Sequence, residues 1–143
     1  MLQKSIFSIF LVIFFSVLAQ AQSVVGTWKT IDDETGEAKS YVTIYKENGK
    51  AYGKITKLLQ KDPETTFCDK CKDHRKDQKV QGMVILENLK KAGMYWKGGK
   101  ILDPKNGKIY TCKIWLDEDN PNKLHVRGYI GFFYRTQEWF RVK

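Results

Sequence analysis

YWKGGKILDPKNGKIYTCKIWL, residues Tyr95–Leu116, is the stretch whose reading decides the fold. Gly98-Gly99 supplies the positive φ that a two-residue hairpin demands. Asp103-Pro104-Lys105-Asn106-Gly107 reads as a turn, with Pro pre-setting φ at its second position and Asn or Gly closing it left-handed. Lys100–Leu102 and Lys108–Leu116, rich in Ile, Tyr and Trp, lie between and after these turns, so the stretch is a β meander.

The same grammar extends in both directions. Upstream, Ser23–Ile31 is a β-branched strand containing Gly26-x-Trp28, Asp32–Gly36 is a turn, and Lys39–Lys46 alternates in polarity. Asn48-Gly49 then turns the chain into Lys50–Leu59, the strongest short-range hairpin signal a sequence offers. Gln60–Lys79 breaks the rhythm: it is polar, lacks a period and carries two of the three cysteines, so it reads as one long loop. Val80–Glu87 resumes as a strand with a bulge at Gly82, and Asn88–Gly93 is one helical turn or a loose connection. Downstream come a turn at Asp117–Asn122, a strand over Lys123–Ile130, a bend at Gly131 and a last strand over Thr136–Val142.

The result is an all-β chain of about eight strands in sequence-neighbour order, with no helix long enough for a parallel crossover. It predicts a single up-and-down antiparallel barrel in preference to a sandwich. Closure removes the sheet edges, and a barrel of about eight strands has an interior that can just hold a small ligand.

Residues 1–21 are expected to be a signal peptide and residues 22–143 the barrel domain. Met1–Lys4 is a short basic segment, Ile6–Leu18 is apolar apart from Ser8 and Ser16, and Ala19-Gln20-Ala21 has the small-x-small form of a cleavage site. The apolar run is shorter than the roughly 20 residues of a membrane anchor, so the expectation is export, to the periplasm or as a secreted protein, without a membrane span. Lys4 is the only charge in that segment, which leaves the mature chain firmly basic against the +9 of the whole. The lysines are scattered rather than gathered in a stripe. This composition predicts no nucleic-acid partner and admits an anionic component of the cell envelope. Nothing in it sets the oligomeric state.

Gly26-Thr27-Trp28 on the first strand, with an arginine near the end of the last, resembles the signature of lipocalin-type barrels. There the tryptophan plugs the barrel base and the arginine lies across its ring. Arg141 is the best match to that arginine and Arg135 the second. A wider set of segments covers nearly all of the mature chain: GTWKTIDDETG at Gly26–Gly36, YGKI at Tyr52–Ile55, CDKC at Cys68–Cys71, QGMVIL at Gln81–Leu86, GGKILDPKNGKIY at Gly98–Tyr110, RGYIG at Arg127–Gly131 and RTQEWFR at Arg135–Arg141. Together they resemble the small exported family catalogued as domain of unknown function 2147. The resemblance implies a lipocalin-like barrel and bacterial export, and it names no activity.

Cys68-x-x-Cys71 has three readings. In an exported protein a Cys68–Cys71 disulfide leads, leaving Cys112 a buried free thiol. A zinc site would use Cys68, Cys71 and His74, with Cys112 as a fourth ligand. A thiol-redox role would need the pair at a helix N-terminus, which the pattern lacks.

Within the barrel, Tyr110 and Trp139 are the candidate apolar contacts of a ligand, and Arg127 and Tyr129 the candidate polar ones. Arg127 and Tyr129 share one face of their strand while Leu124, Val126 and Ile130 share the other. Either face could turn inward. Asp103 reads as a turn-former. No Ser-His-Asp constellation, HExxH or phosphate loop is recognisable, so no catalytic residue and no cofactor is assigned. The leading function is small-molecule binding in the barrel; the rival is an envelope interaction protein whose barrel is filled by its own aromatic side chains. The strand count also predicts that Gln60–Lys79 lies at the end opposite Trp28, with ligand entering beneath it.

Overall fold

Short turns between alternating strands leave the chain one economical way to bury its apolar faces, which is to curl the meander until its ends meet. The computed structural model of the protein describes residues 22–143, and the signal-peptide expectation for residues 1–21 lies outside the described residues. The strands are β1 (Gly26–Ile31), β2 (Ala38–Glu47), β3 (Lys50–Leu58), β4 (Val84–Ala92), β5 (Tyr95–Asp103), β6 (Lys108–Leu116), β7 (Lys123–Ile130) and β8 (Phe133–Arg141). They form a closed antiparallel barrel in sequence order, with β1 sealed to β8 through the Trp28/Arg141 and Lys29/Phe140 pairs. No helix long and apolar enough to cross a membrane occurs among the described residues.

Alternation carries the inside–outside pattern. In β2, Ser40, Val42 and Ile44 are buried while their neighbours are partly exposed, and in β7 Leu124 and Val126 are buried. Successive strands reverse direction, so connections fall alternately at two ends. One end holds Trp28, the start of β1, the end of β8 and the turns after β2, β4 and β6. The other holds the β1–β2 turn, the long segment between Leu58 and Val84, the β5–β6 turn at Asp103–Lys108 and the β7–β8 turn at Gly131-Phe132. Trp28, Ile44, Leu86, Leu89, Ile114 and Leu124 are fully buried and form the core.

Several boundaries differ from the sequence reading. Gly98-Gly99 is not a hairpin turn: β5 runs through it, and the chain reverses earlier, at Gly93-Met94. Gly98 has φ 77° and the β5–β6 register shifts between Lys97 and Gly99, which marks a β-bulge. A bulge and a tight turn both call for glycine at positive φ, so the dipeptide alone does not distinguish them. Gly99 is also a close approach, because a Cβ there would fall 2.1 Å from the Glu87 carbonyl oxygen. Asn88–Gly93 is neither helical nor loose, since β4 continues to Ala92 past a positive φ of 59° at Asn88. Val80–Met83 turns into the barrel rather than beginning β4, and β8 starts at Phe133.

Candidate functional site

At the Trp28 end the barrel is shut. The Trp28 indole nitrogen donates to the Val24 carbonyl at 2.8 Å, and the Arg141 guanidinium carbon sits 4.3 Å from the ring centroid. Arg141 also donates to the carbonyls of Ser23 (2.7 Å), Val25 (3.2 Å) and Pro121 (3.2 Å), so one side chain ties together the strand ends and the β6–β7 turn.

At the other end the barrel is hollow. A cavity of about 710 Å³ opens there, with Ile55, Ile85, Ile101, Val126 and Trp139 among its apolar walls. The barrel's own aromatic side chains leave this space open, with Tyr110 and Trp139 among its lining. Tyr110 lies along one wall beside Gly128, where an added Cβ would come 3.2 Å from the Tyr110 Cβ. Of the hydroxyls in the wall, Thr30 and Ser40 bond each other at 2.7 Å and Thr66 donates to the Asp62 carbonyl at 2.7 Å, so these present little unmet polarity to a ligand.

Polar groups gather at the rim. The Trp139 indole nitrogen donates to the Gln137 carbonyl oxygen at 3.2 Å, the Gln137 amide donates to the Asp33 carboxylate at 2.6 Å, and Arg135 donates to the same carboxylate oxygen. This chain bridges β8 to the β1–β2 turn where the two strands are no longer paired backbone to backbone. Asn106 donates to the Tyr110 hydroxyl at 3.1 Å, and Lys105 pairs with Glu34 at 3.2 Å. Five acidic side chains (Asp32, Asp33, Glu34, Asp69, Asp103) and five basic ones (Lys39, Lys61, Lys70, Lys105, Arg135) line the cavity, so its charge is balanced.

The Gln60–Lys79 loop lies at this end and contributes Phe67, Asp69 and Lys70 to the lining. Three devices hold it. Cys68 and Cys71 form a disulfide with Cα atoms 5.4 Å apart. Arg75, 7% exposed, donates to the Val84 carbonyl and pairs with Asp73 at 2.6 Å and Glu87 at 3.2 Å. The Asp73 carboxyl is driven down to about 2, chiefly by the hydrogen bond from Arg75. Gly107, at φ 73°, lets the β5–β6 turn pack on the loop, since a Cβ there would lie 2.0 Å from the Lys70 carbonyl oxygen.

Of the four ligand candidates, Tyr110 and Trp139 line the cavity. Arg127 and Tyr129 do not: burial of Leu124 and Val126 fixes the phase of β7 and turns its odd positions outward. Arg127 donates to Thr136 at 2.8 Å and lies over the rings of Tyr134 (4.3 Å) and Trp115 (5.0 Å), while Tyr129 packs on Tyr134. The zinc reading falls because the disulfide consumes the Cys68 and Cys71 thiolates. His74 is mostly exposed, and Cys112 is a buried thiol pushed up to about 12 by burial. The sequence reading missed Asp33 and Gln137 as rim residues and Arg75 as the loop anchor. Gln137 was within reach, because it shares a strand face with Trp139.

A closed eight-stranded antiparallel barrel, plugged at one end by a tryptophan under an arginine and hollow at the other, is a lipocalin-like barrel. The family described as "Uncharacterized protein conserved in bacteria (DUF2147)" matches residues 26–141, and the chain belongs to it. Among solved structures it is similar to HP1028 from Helicobacter pylori, described as belonging to the lipocalin family. The TM-score is 0.73 at 20% identity over 86% of this chain and 85% of that one, a likeness of fold. No curated protein matches the chain.

Proposed function

We propose that the protein is an exported binder of a small apolar or amphipathic molecule, held in the open half of the barrel. The observation that supports this most is the cavity of about 710 Å³, apolar in its walls and charge-balanced at its rim. Its volume lies in the range of sites that enclose drug-sized ligands. Apolar walls drive uptake by removing ligand surface from water, and a balanced rim selects against strongly charged molecules. Entry is beneath the Gln60–Lys79 loop, because the other end is packed. The Trp139 indole and the Tyr110 ring form the contact surface, and Gln137 and Asp33 meet a polar head.

Native mass spectrometry after gentle purification, together with quenching of tryptophan fluorescence by an apolar probe such as a long-chain fatty acid, tests the reading. A retained small molecule or saturable quenching at one site is expected. A ligand-free protein that takes up no apolar probe would reject it.

A further inference from the structure

The β7–β8 turn breaks the rule that turns are polar. Ile130, Phe132, Phe133 and Tyr134 follow one another around Gly131 and are 49%, 101%, 82% and 61% exposed. Gly131, at φ 56°, makes the reversal tight and leaves Phe132 projecting with nothing packed against it. Ile109 on the neighbouring β6 is 44% exposed and widens the patch. The wedge stands at the open end of the barrel, and Gly128 and Arg135 of the same hairpin line the cavity.

We propose that this hairpin tip docks the protein on an anionic lipid bilayer, with the cavity mouth facing the lipid. Two observations select lipid over a protein partner. The first is charge: on the tip's side of the barrel β6 and β7 carry Lys108, Lys113 and Arg127 and no acid, while Arg135 is paired with Asp33 and Lys123 and Arg141 lie at the Trp28 end. Behind the tip, Arg127 lies over Tyr134 and Trp115, and Lys113 over Tyr95 at 4.5 Å. The apolar tip is thus flanked by the Tyr129 and Tyr134 rings and by the cations Lys108 and Arg127, as the acyl chains of a bilayer are flanked by its interface and phosphates. The second is shape: a convex tip of a few side chains on one turn covers far less than the roughly 800 Å² per partner of a stable protein interface. A fluid acyl layer accepts such a wedge without needing a matching groove. The protein then lies on the membrane and does not span it. Docking goes beyond the binding reading and does not depend on the cavity holding a ligand.

Co-sedimentation of the purified protein with vesicles tests this, using phosphatidylcholine alone and an equal mixture of phosphatidylcholine and phosphatidylglycerol. Binding to the anionic mixture is expected, weakening as salt rises. Phe132→Ser with Phe133→Ser should reduce it by about tenfold or more, with an unchanged melting temperature because both rings are exposed. Lys113→Glu should weaken binding to the anionic mixture alone. Narrowing the cavity with Gly128→Val should leave vesicle binding intact, which separates this proposal from the ligand reading. The proposal is overturned by no co-sedimentation, by co-sedimentation that survives loss of both phenylalanines, or by self-association on size-exclusion that only the tip substitutions abolish, which would seat the tip on a second copy.

Discussion

Arg141 lies across the face of Trp28, its guanidinium carbon 4.3 Å from the ring centroid, and the two residues are also register partners where β8 closes on β1. Cation–π attraction is only part of the contact, worth about 0.5–2 kcal/mol. The larger part is burial of the whole indole. Trp28→Ala is expected to cost about 3–5 kcal/mol and to lower Tm by roughly 10 °C or more. Thermal denaturation checks this, and a shift of only a degree or two would show that the base of the barrel does not depend on the plug.

Arg75 does for the long loop what Arg141 does for the base. Its guanidinium is buried between Asp73, Glu87 and the Val84 carbonyl, so Arg75→Ala leaves acceptors unpaired and should cost about 3 kcal/mol. Hydrogen exchange should rise over residues 66–79 before it rises in the strands. Uniform exchange in the variant would mean that the loop is held without Arg75.

Asp73 gives the same contact a pH dependence. Its carboxyl is lowered to about 2, chiefly by the Arg75 hydrogen bond, whereas in the unfolded chain it titrates near about 3.9. Between those values the unfolded state binds more protons, so stability rises with pH there. The contribution is whole above about 4 and is lost as pH falls through about 2. Asp73 is one-third exposed, so solvent screening keeps the effect modest. Urea unfolding across this window should show a shallower pH slope for Asp73→Asn than for the parent protein.

The cysteines divide into a bonded pair and a silent thiol. In the folded protein, alkylation near neutral pH should modify none of them, because burial holds the Cys112 thiol up at about 12. After unfolding without reductant, one thiol should react, and peptide mapping should keep Cys68 and Cys71 joined. Three reactive thiols, or one equivalent of bound zinc, would contradict the loop chemistry described above.

The parts legible in the sequence were those set by local rules. Asn48-Gly49, the alternation in β2 and the turn at Asp103–Gly107 each specify their own geometry, and eight such segments in neighbour order leave little but a barrel. Gly98-Gly99 misled because positive φ serves bulges as well as turns. Arg127 shows the other limit: alternation says that it opposes Val126, and only packing of the neighbouring strands says which of the two faces in. Asp33 and Gln137 depend on partners remote in sequence, 104 residues apart for the Gln137–Asp33 contact, whereas Arg75 finds Asp73, Val84 and Glu87 within 12 residues but inside and just after a polar loop that shows no period. Nothing in the one-dimensional pattern marks such a pair.

Arg127 and Gly128 are neighbours that should behave in opposite ways. Gly128 faces the cavity against Tyr110, and its backbone is not left-handed, so valine fits the strand while its methyl groups enter the space a ligand would use. Tyr110 must shift by a few tenths of an ångström, a small strain beside the loss of cavity. Gly128→Val should therefore weaken uptake of an apolar fluorescent probe by about tenfold or more, with Tm changed by only a few degrees. Arg127 lies outside, over Trp115 and Tyr134, and Arg127→Ala should leave probe affinity unchanged. Equilibrium titrations of the two variants against the parent decide the matter. Equal losses in both would mean that the probe binds the outer aromatic face, and no loss in either would remove the cavity from the account of binding.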